Sequence, residues 1–305
     1  MTKYLIRRLL QGLLTMIGVL TVSFFLVRLS GDPTTLLLSE QATVAEIAQL
    51  REALGLDRSI FVQYAIFMQD ALRGDFGISL RQNTPALGLV LERLPATLQL
   101  ALSAFALGLG MAFVMALAIR LSGSRRLRNV LVTIAFVRQA IPIFFFGLLM
   151  MILFSVILRW LPSGGYGTWK HLLLPAFTLA SFEIALYLRL FDAAFGDEQA
   201  RDYVRTAMSK GQSRIGIVLG HMLPNALLPI VTVAGINLGL LLGGTVVTES
   251  VFSWPGMGRL VVQAVTQRDY PVIVAAVVVA SGLFIIINII VDLLYVFLDP
   301  RVRLA

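Results

Sequence analysis

Six stretches of this chain are too long and too apolar to fold in water. They run Leu9–Val27, Thr97–Ile119, Val130–Ile157, Leu172–Phe191, Ala226–Val247 and Val272–Phe297. At about 1.5 Å per residue, a helix of such length crosses the roughly 30 Å of a bilayer core. Hydrophobic residues make up 58% of the 305 and charged residues 14%, a share no soluble core can hide. In lipid every backbone polar group needs a partner within its own segment, so the spans read as helices. The expected fold is all-α, a polytopic membrane protein with six transmembrane helices. It divides into a first helix (residues 1–29), an external helical insertion (30–95) and a five-helix core (96–305) holding a cytoplasmic loop, 192–225. Lys3, Arg7 and Arg8 precede the first span, but no small-residue cleavage site follows it, so it reads as an uncleaved helix.

Charge orients the bundle. Arg120, Arg125, Arg126 and Arg128 fill the turn after the second span without an acid. Arg201, Arg205, Lys210 and Arg214 follow the fourth, and Arg301 and Arg303 end the chain. With six spans these segments and the N-terminus share one side, which the positive-inside bias makes cytoplasmic. Both termini are expected there. The net charge of +8 therefore reports topology rather than nucleic-acid binding.

The chain has no cysteine and two histidines, which leaves little for thiol chemistry or a metal cage. There is no G-x4-G-K-[ST] phosphate loop, no HExxH and no GxSxG. No catalytic, cofactor-binding or metal residue is assigned. Any ATP use is expected to come from another subunit.

The insertion 30–95 has eight acids against five arginines. Thr43-Val-Ala-Glu46 has capping-box spacing and opens a helix ending at Leu54-Gly55. A second helix sets Ile60, Tyr64, Phe67, Met68, Ala71 and Leu72 on one face and stops at Arg73-Gly74. Two readings stand, a docking platform for a delivery protein and a cap over the bundle. Leu94-Pro95-Ala96-Thr97 is expected to start the second span, with proline in its first turn.

The polar run Tyr203–Pro224 lies between two apolar spans. It reads as a short helix, a glycine break at Gly211 and an amphipathic return to the bilayer. Arg205-Thr206-Ala207, Gly211 and His221-Met-Leu223-Pro224 follow the spacing of the loop E-A-A-x3-G-x9-I-x-L-P. That loop marks the permease subunits of bacterial ATP-binding-cassette importers. Ala207, Gly211, Leu223 and Pro224 are kept, while Arg205, Thr206 and His221 depart from it. DYVRTAxxKG followed by HxLxNALLPI resembles the dipeptide and oligopeptide permeases. So do LGLDRSIFVQY, LRGDFGISL, ERLPATLQLAL and ESVFSWPGMGRLVVQAVTQRDYPV, in order along nearly the whole chain.

The resemblance implies the first of two paired permease subunits in an inner membrane. Its implied partners are a homologous permease, two ATPase subunits that bind ATP and Mg, and a periplasmic or lipid-anchored substrate-binding protein. It implies import of di- or oligopeptides, with nickel chelates, glutathione or opines as alternative cargoes. A self-contained secondary transporter is the competing class. The implied ATPase-coupling residues are Asp202, Tyr203, Arg205, Thr206, Ala207, Lys210, Gly211, Leu223 and Pro224. Gly211→Asp and Ala207→Glu are both expected to uncouple transport from an inserted protein.

Arg138, Glu183 and Asp292 sit inside spans at comparable depth. A charge left unpaired in hydrocarbon costs several kcal/mol. Arg138 is expected to pair with Glu183 or Asp292; snorkelling and contact with a peptide's ends are the alternatives. Ile141-Pro142 should kink the third span. Gly235, Gly239, Gly243 and Gly244 mark either close helix approach or a pathway face. Trp254 begins an external turn, followed by a helix face of Leu260, Val261 and Val265. That segment reads either as a gate or as an interfacial anchor with Trp254 at the headgroups.

Overall fold

A computed structural model describes residues 2–29, 43–53 and 55–298. Among them there is no strand, only an isolated bridge between Ile78 and Pro85. The helices are α1 (Thr2–Leu29), α2 (Val44–Ala53), α3 (Ile60–Leu72), α4 (Ala86–Ser122), α5 (Arg125–Ala140), α6 (Ile143–Met151), α7 (Trp169–Gln199), α8 (Asp202–Ser209), α9 (Arg214–Ile217), α10 (Leu223–Val251), α11 (Met257–Thr266) and α12 (Tyr270–Leu298). One π-helical stretch, Ile152–Ile157, prolongs α6, and another, Val218–Met222, joins α9 to α10. Five helical runs are long and apolar enough to cross a membrane, and α5 with α6 makes a sixth if the bent pair is one span.

The chain forms two compact units, Met1–Leu94 with Leu260–Ile285, and Pro95–Arg259 with Ile286–Ala305. In the first, α1 closes its own polar groups: the Thr15 and Thr21 hydroxyls donate to the carbonyls of Gln11 and Ile17. The capping box of α2 is present. Glu46 N–H donates to Thr43 Oγ1 at 3.3 Å, and Thr43 N–H donates to Glu46 Oε2 at 2.8 Å. Hydrogen bonds from Thr43 hold the Glu46 carboxyl below its ordinary value. Gly55 ends α2 at φ +64°; Leu54 lies outside the described residues.

Helix α3 stops at Gly74, φ +75°. It packs on the later turns of α1. Tyr64 and Phe67 both meet the Phe24 ring at 5.4 Å, and Tyr64 Oη lies 2.8 Å from Thr21 Oγ1. Of the expected face, Tyr64, Phe67, Met68 and Ala71 are half-buried, whereas Ile60 and Leu72 are exposed. After α3, Ser79 Oγ donates to the buried Asp269 carboxylate at 2.5 Å and Leu80 N–H donates to it at 3.1 Å.

The second span starts earlier than expected. Helix α4 begins at Ala86 and carries Pro95 in its interior. Its buried positions Ala86, Val90, Thr97, Leu100, Ala101 and Ala104 continue one helical face through the proline. Packing along that face holds the helix across a residue that removes one hydrogen bond, at about 3 kcal/mol.

In the second unit α7 is the central helix, packed on α5, α6 and α10. Its Leu188, Phe191 and Phe195 join Ala112 and Ala116 of α4 and Ile230 of α10 in one apolar core. The third span is broken rather than kinked, with α5 and α6 meeting at 103°. Pro142 forbids the helical conformation at Ile141, which is extended at φ −85°, ψ 126°.

The glycines of α10 divide by environment. A Cβ on Gly235 would lie 2.2 Å from Val291 Cγ1 of α12, so this is a close helix approach. Gly239 is buried, while Gly243 is exposed with nothing within 4 Å of an added Cβ. Gly235→Leu is therefore expected to lower the yield and melting temperature of the folded protein in detergent, while Gly243→Leu leaves both near wild type. Equal effects of the two substitutions on the melting curve would contradict this packing.

Candidate functional site

The polar loop folds into a short lever with fixed ends. Arg201 is extended, and Asp202 opens α8. Residues three apart face the same way, and Val204 and Ala207 are buried in the same core as Phe195, Ile217 and Met222. Asp202, Arg205, Thr206, Met208 and Ser209 are exposed. Gly211 sits at φ +72°; its N–H donates to the Met208 carbonyl and the Gln212 N–H donates to that of Ala207. This is a Schellman end, which places the next residue off the helix axis.

The other end is tied across the loop. Asn225 Nδ2 donates to Tyr203 Oη at 3.2 Å and to the His221 carbonyl at 3.2 Å. Tyr203 Oη donates to the Glu198 carboxylate. Burial, then that carboxylate, pushes the Tyr203 phenol above its ordinary value, so it stays protonated and donating. His221 Nε2 meets Gln212 Oε1 at 2.8 Å. Pro224 sits in the first turn of α10, directly after the π-helical stretch, and Leu223 is half-buried beside it. Every residue of the expected coupling set is thus on α8, its cap, or the start of α10. They divide into an inward pair, Ala207 and Leu223, and an outward surface containing Arg205, Thr206 and Lys210.

Asp192 was missed by sequence reasoning. Its buried carboxylate accepts from Arg120 Nη2 at 3.1 Å and from Arg128 Nε at 2.8 Å. Arg120 also donates to the Asp192 carbonyl and to Gln199 Oε1. Two of the arginines that report topology therefore also bind the end of α7 to α4 and α5. An acid at the end of a span, opposite arginine-rich turns, was the available signal.

The intramembrane charges do not pair as expected. Arg138 forms an ion pair with neither Glu183 nor Asp292. Its Nε donates to Ser181 Oγ at 2.8 Å, its Nη1 to the Ile141 carbonyl at 3.0 Å and its Nη2 to the Thr178 carbonyl at 3.3 Å. The guanidinium stacks 3.8 Å from the Phe146 ring centre. The break at Pro142 supplies one of those carbonyls. Glu183 is buried on another face of α7, against Gly108 of α4, where an added Cβ would lie 2.9 Å from its own Cβ. Asp292 is half-buried on α12.

Trp254 is buried inside the chain and presents no surface for an interfacial anchor. It is 1% exposed, donates from Nε1 to the Ala96 carbonyl at 2.8 Å and meets Tyr166 edge-on at 4.9 Å. The turn is organised by Glu249, a second residue sequence reasoning passed over. Its fully buried carboxylate accepts from Thr97 Oγ1 at 2.7 Å and from Arg259 N–H at 2.9 Å, and Thr97 Oγ1 accepts from Met257 N–H. Gly256 lies against it so closely that an added Cβ would be 2.3 Å from the carboxylate. The buried face of α11 is Met257, Leu260 and Ala264; Val261 is half-buried and Val265, expected on that face, is exposed.

Residues 104–304 match the family described as binding-protein-dependent transport system inner membrane component, and residues 1–101 match its N-terminal family. The chain belongs to this family. It is 40% identical to the glutathione transport system permease protein GsiC of Salmonella typhi and 38% identical to that of Escherichia coli K12, each over 99% of both chains. A chain of the inward-facing MetNI methionine ABC transporter superposes on it with a TM-score of 0.55 at 16% identity, over 69% of this chain and 96% of that one. That likeness confirms the permease fold.

The binding-protein-dependent component is the inner-membrane permease subunit of an ATP-binding-cassette importer, not its ATPase. The geometry of α8 revises how its loop can be tested. Ala207 points into the chain's own core, so Ala207→Glu buries an unpaired carboxylate and breaks the fold rather than the coupling. Gly211 has open space around it, and aspartate is among the residues that tolerate a left-handed backbone. Gly211→Asp should leave membrane levels near wild type, and Ala207→Glu should abolish them; equal levels on a membrane-fraction blot would reverse this assignment. Glu249→Gln keeps an acceptor for the Arg259 N–H and can donate from its amide to Thr97 Oγ1, while Glu249→Ala leaves both groups without that partner. The alanine variant should melt several degrees below the glutamine one, and coincident melting curves would remove Glu249 from this role.

Proposed function

We propose that this permease forms half of a translocation pathway for short peptides. A substrate-binding protein, periplasmic or lipid-anchored, delivers the cargo. A second, homologous permease completes the path, and two ATPase subunits holding ATP and Mg drive it. The observation that carries this reading is α8, a short helix clamped at both ends with Arg205, Thr206, Met208 and Lys210 presented outward. Such a helix transmits a push without bending, because its inward face is packed in the bundle core. The arginine-rich segments beside α8 and α5 support placing both termini in the cytoplasm.

For cargo, the relatives named as glutathione permeases favour a tripeptide-sized solute, which falls within the di- and oligopeptide class. The chain supplies no phosphate loop, so hydrolysis is assigned to the partner subunits. The test is uptake into proteoliposomes holding the full complex. Labelled glutathione or dipeptide should accumulate only when both ATP and the binding protein are present. Met208→Asp and Arg205→Glu should lower uptake and binding-protein-stimulated ATPase together at unchanged membrane levels. Binding-protein-stimulated ATP hydrolysis without accumulation of either peptide would move the cargo to another solute class.

A further inference from the structure

Helix α3 is apolar on both sides. Its inner face packs on α1 through Tyr64 and Phe67. Its outer face presents Phe61 (82% exposed), Val62, Ala65, Ile66 and Leu72 (83% exposed), with Gln69 as the polar residue. Asp70, half-buried, is its only charged residue. Helix α2 is different, with Glu46, Arg51 and Glu52 exposed to water. A helix apolar all round is one that apolar surroundings cover on every side.

The depth of α3 points to what those surroundings are. Tyr64 Oη reaches Thr21 Oγ1, and Phe67 meets Phe24. Thr21 lies six residues before Val27, where the first apolar span ends, or about 9 Å inside the hydrocarbon edge at about 1.5 Å per residue. The side of α1 that flanks this contact is itself exposed and apolar, with Val22, Phe25, Leu26 and Leu29. The outer face of α3 adds a second exposed apolar surface beside it. At 13 residues α3 is about 20 Å long, too short to cross, and polar residues bound it: Asp57, Arg58 and Ser59 before, Arg73 and Asp75 after. Gln63 Nε2 donates to the carbonyls of Leu56 and Arg58, which satisfies backbone at the entry to the helix.

We infer that α3 is a membrane-embedded helix. It lies in the leaflet at the C-terminal end of α1 with Phe61, Val62, Ile66 and Leu72 in contact with acyl chains. It is thus part of the bundle's lipid surface and not a platform standing in water. It widens the hydrophobic girdle of α1 where the first span alone presents a single helix.

The chain has no native cysteine, so single labels report without background. Phe61→Cys, Val62→Cys and Ile66→Cys, nitroxide-labelled in the full complex in phospholipid vesicles, are to be compared with Asp57→Cys and Arg73→Cys. The side chain at Phe61 makes little packing contact, so its replacement leaves the fold intact, and thermal melting of each variant checks this. The expected result is a collision rate with oxygen several-fold above that with a water-soluble nickel chelate at the three outer positions, and the reverse at the two flanks. Chelate-dominated collisions at Phe61 and Ile66 would overturn the inference in favour of a water-facing helix. Low rates with both reagents would overturn it in favour of a face covered by another protein subunit.

Discussion

A polar group inside a bilayer has no water to fall back on, and the arrangement of this permease follows from that. Two buried charges, Glu249 and Arg138, are met by donors or acceptors brought from elsewhere in the chain. Glu249 gathers Thr97, Arg259 and the Met257 amide into one knot, which fixes the turn after α10. Arg138 takes carbonyls from two places, one of them freed by the helix break at Pro142. The break and the charge answer each other: an interrupted helix leaves carbonyls without partners, and a guanidinium has five N–H donors to give. Replacing either alone strands the other in an apolar medium, where each missing bond costs more than in water.

The same economy explains how the polar loop between α7 and α10 can be both exposed and stiff. A solvated loop of this length has many conformations. Here Val204 and Ala207 are buried, Gly211 closes the helix end, and Asn225 and Tyr203 join the loop's start to the helix that follows. Asp192, held between Arg120 and Arg128, anchors the helix that leads in. The inward face of α8 is thereby joined to α7 and α10 through packed side chains.

The sequence motifs for this loop were legible because they are local. Capping boxes, glycine helix ends and the three-residue spacing of Val204 and Ala207 depend on neighbours a turn away. The capping box at Thr43 and the stops at Gly55, Gly74 and Gly211 all appear where the pattern places them. The start of α4 was not legible. Pro95 is a strong local signal for a helix start, and it was overridden by a buried face that runs through it. Trp254 misled for a related reason. An isolated tryptophan beside a span suggests a headgroup anchor, and only the fold puts the Ala96 carbonyl within reach of its indole.

The apolar length and position of the candidate spans were determined by the sequence alone, because each is a sum over consecutive residues. Which charge meets which partner was decided by tertiary structure. Arg138 and Glu183 have matching depth and opposite sign, yet they do not pair. Thr178 and Ser181, three residues apart, share the face of α7 that Arg138 reaches. Glu183, two residues beyond Ser181, is turned about 200° around the helix and faces Gly108 instead. Depth follows from counting residues, but the facing side of a helix follows from how its neighbours cross it.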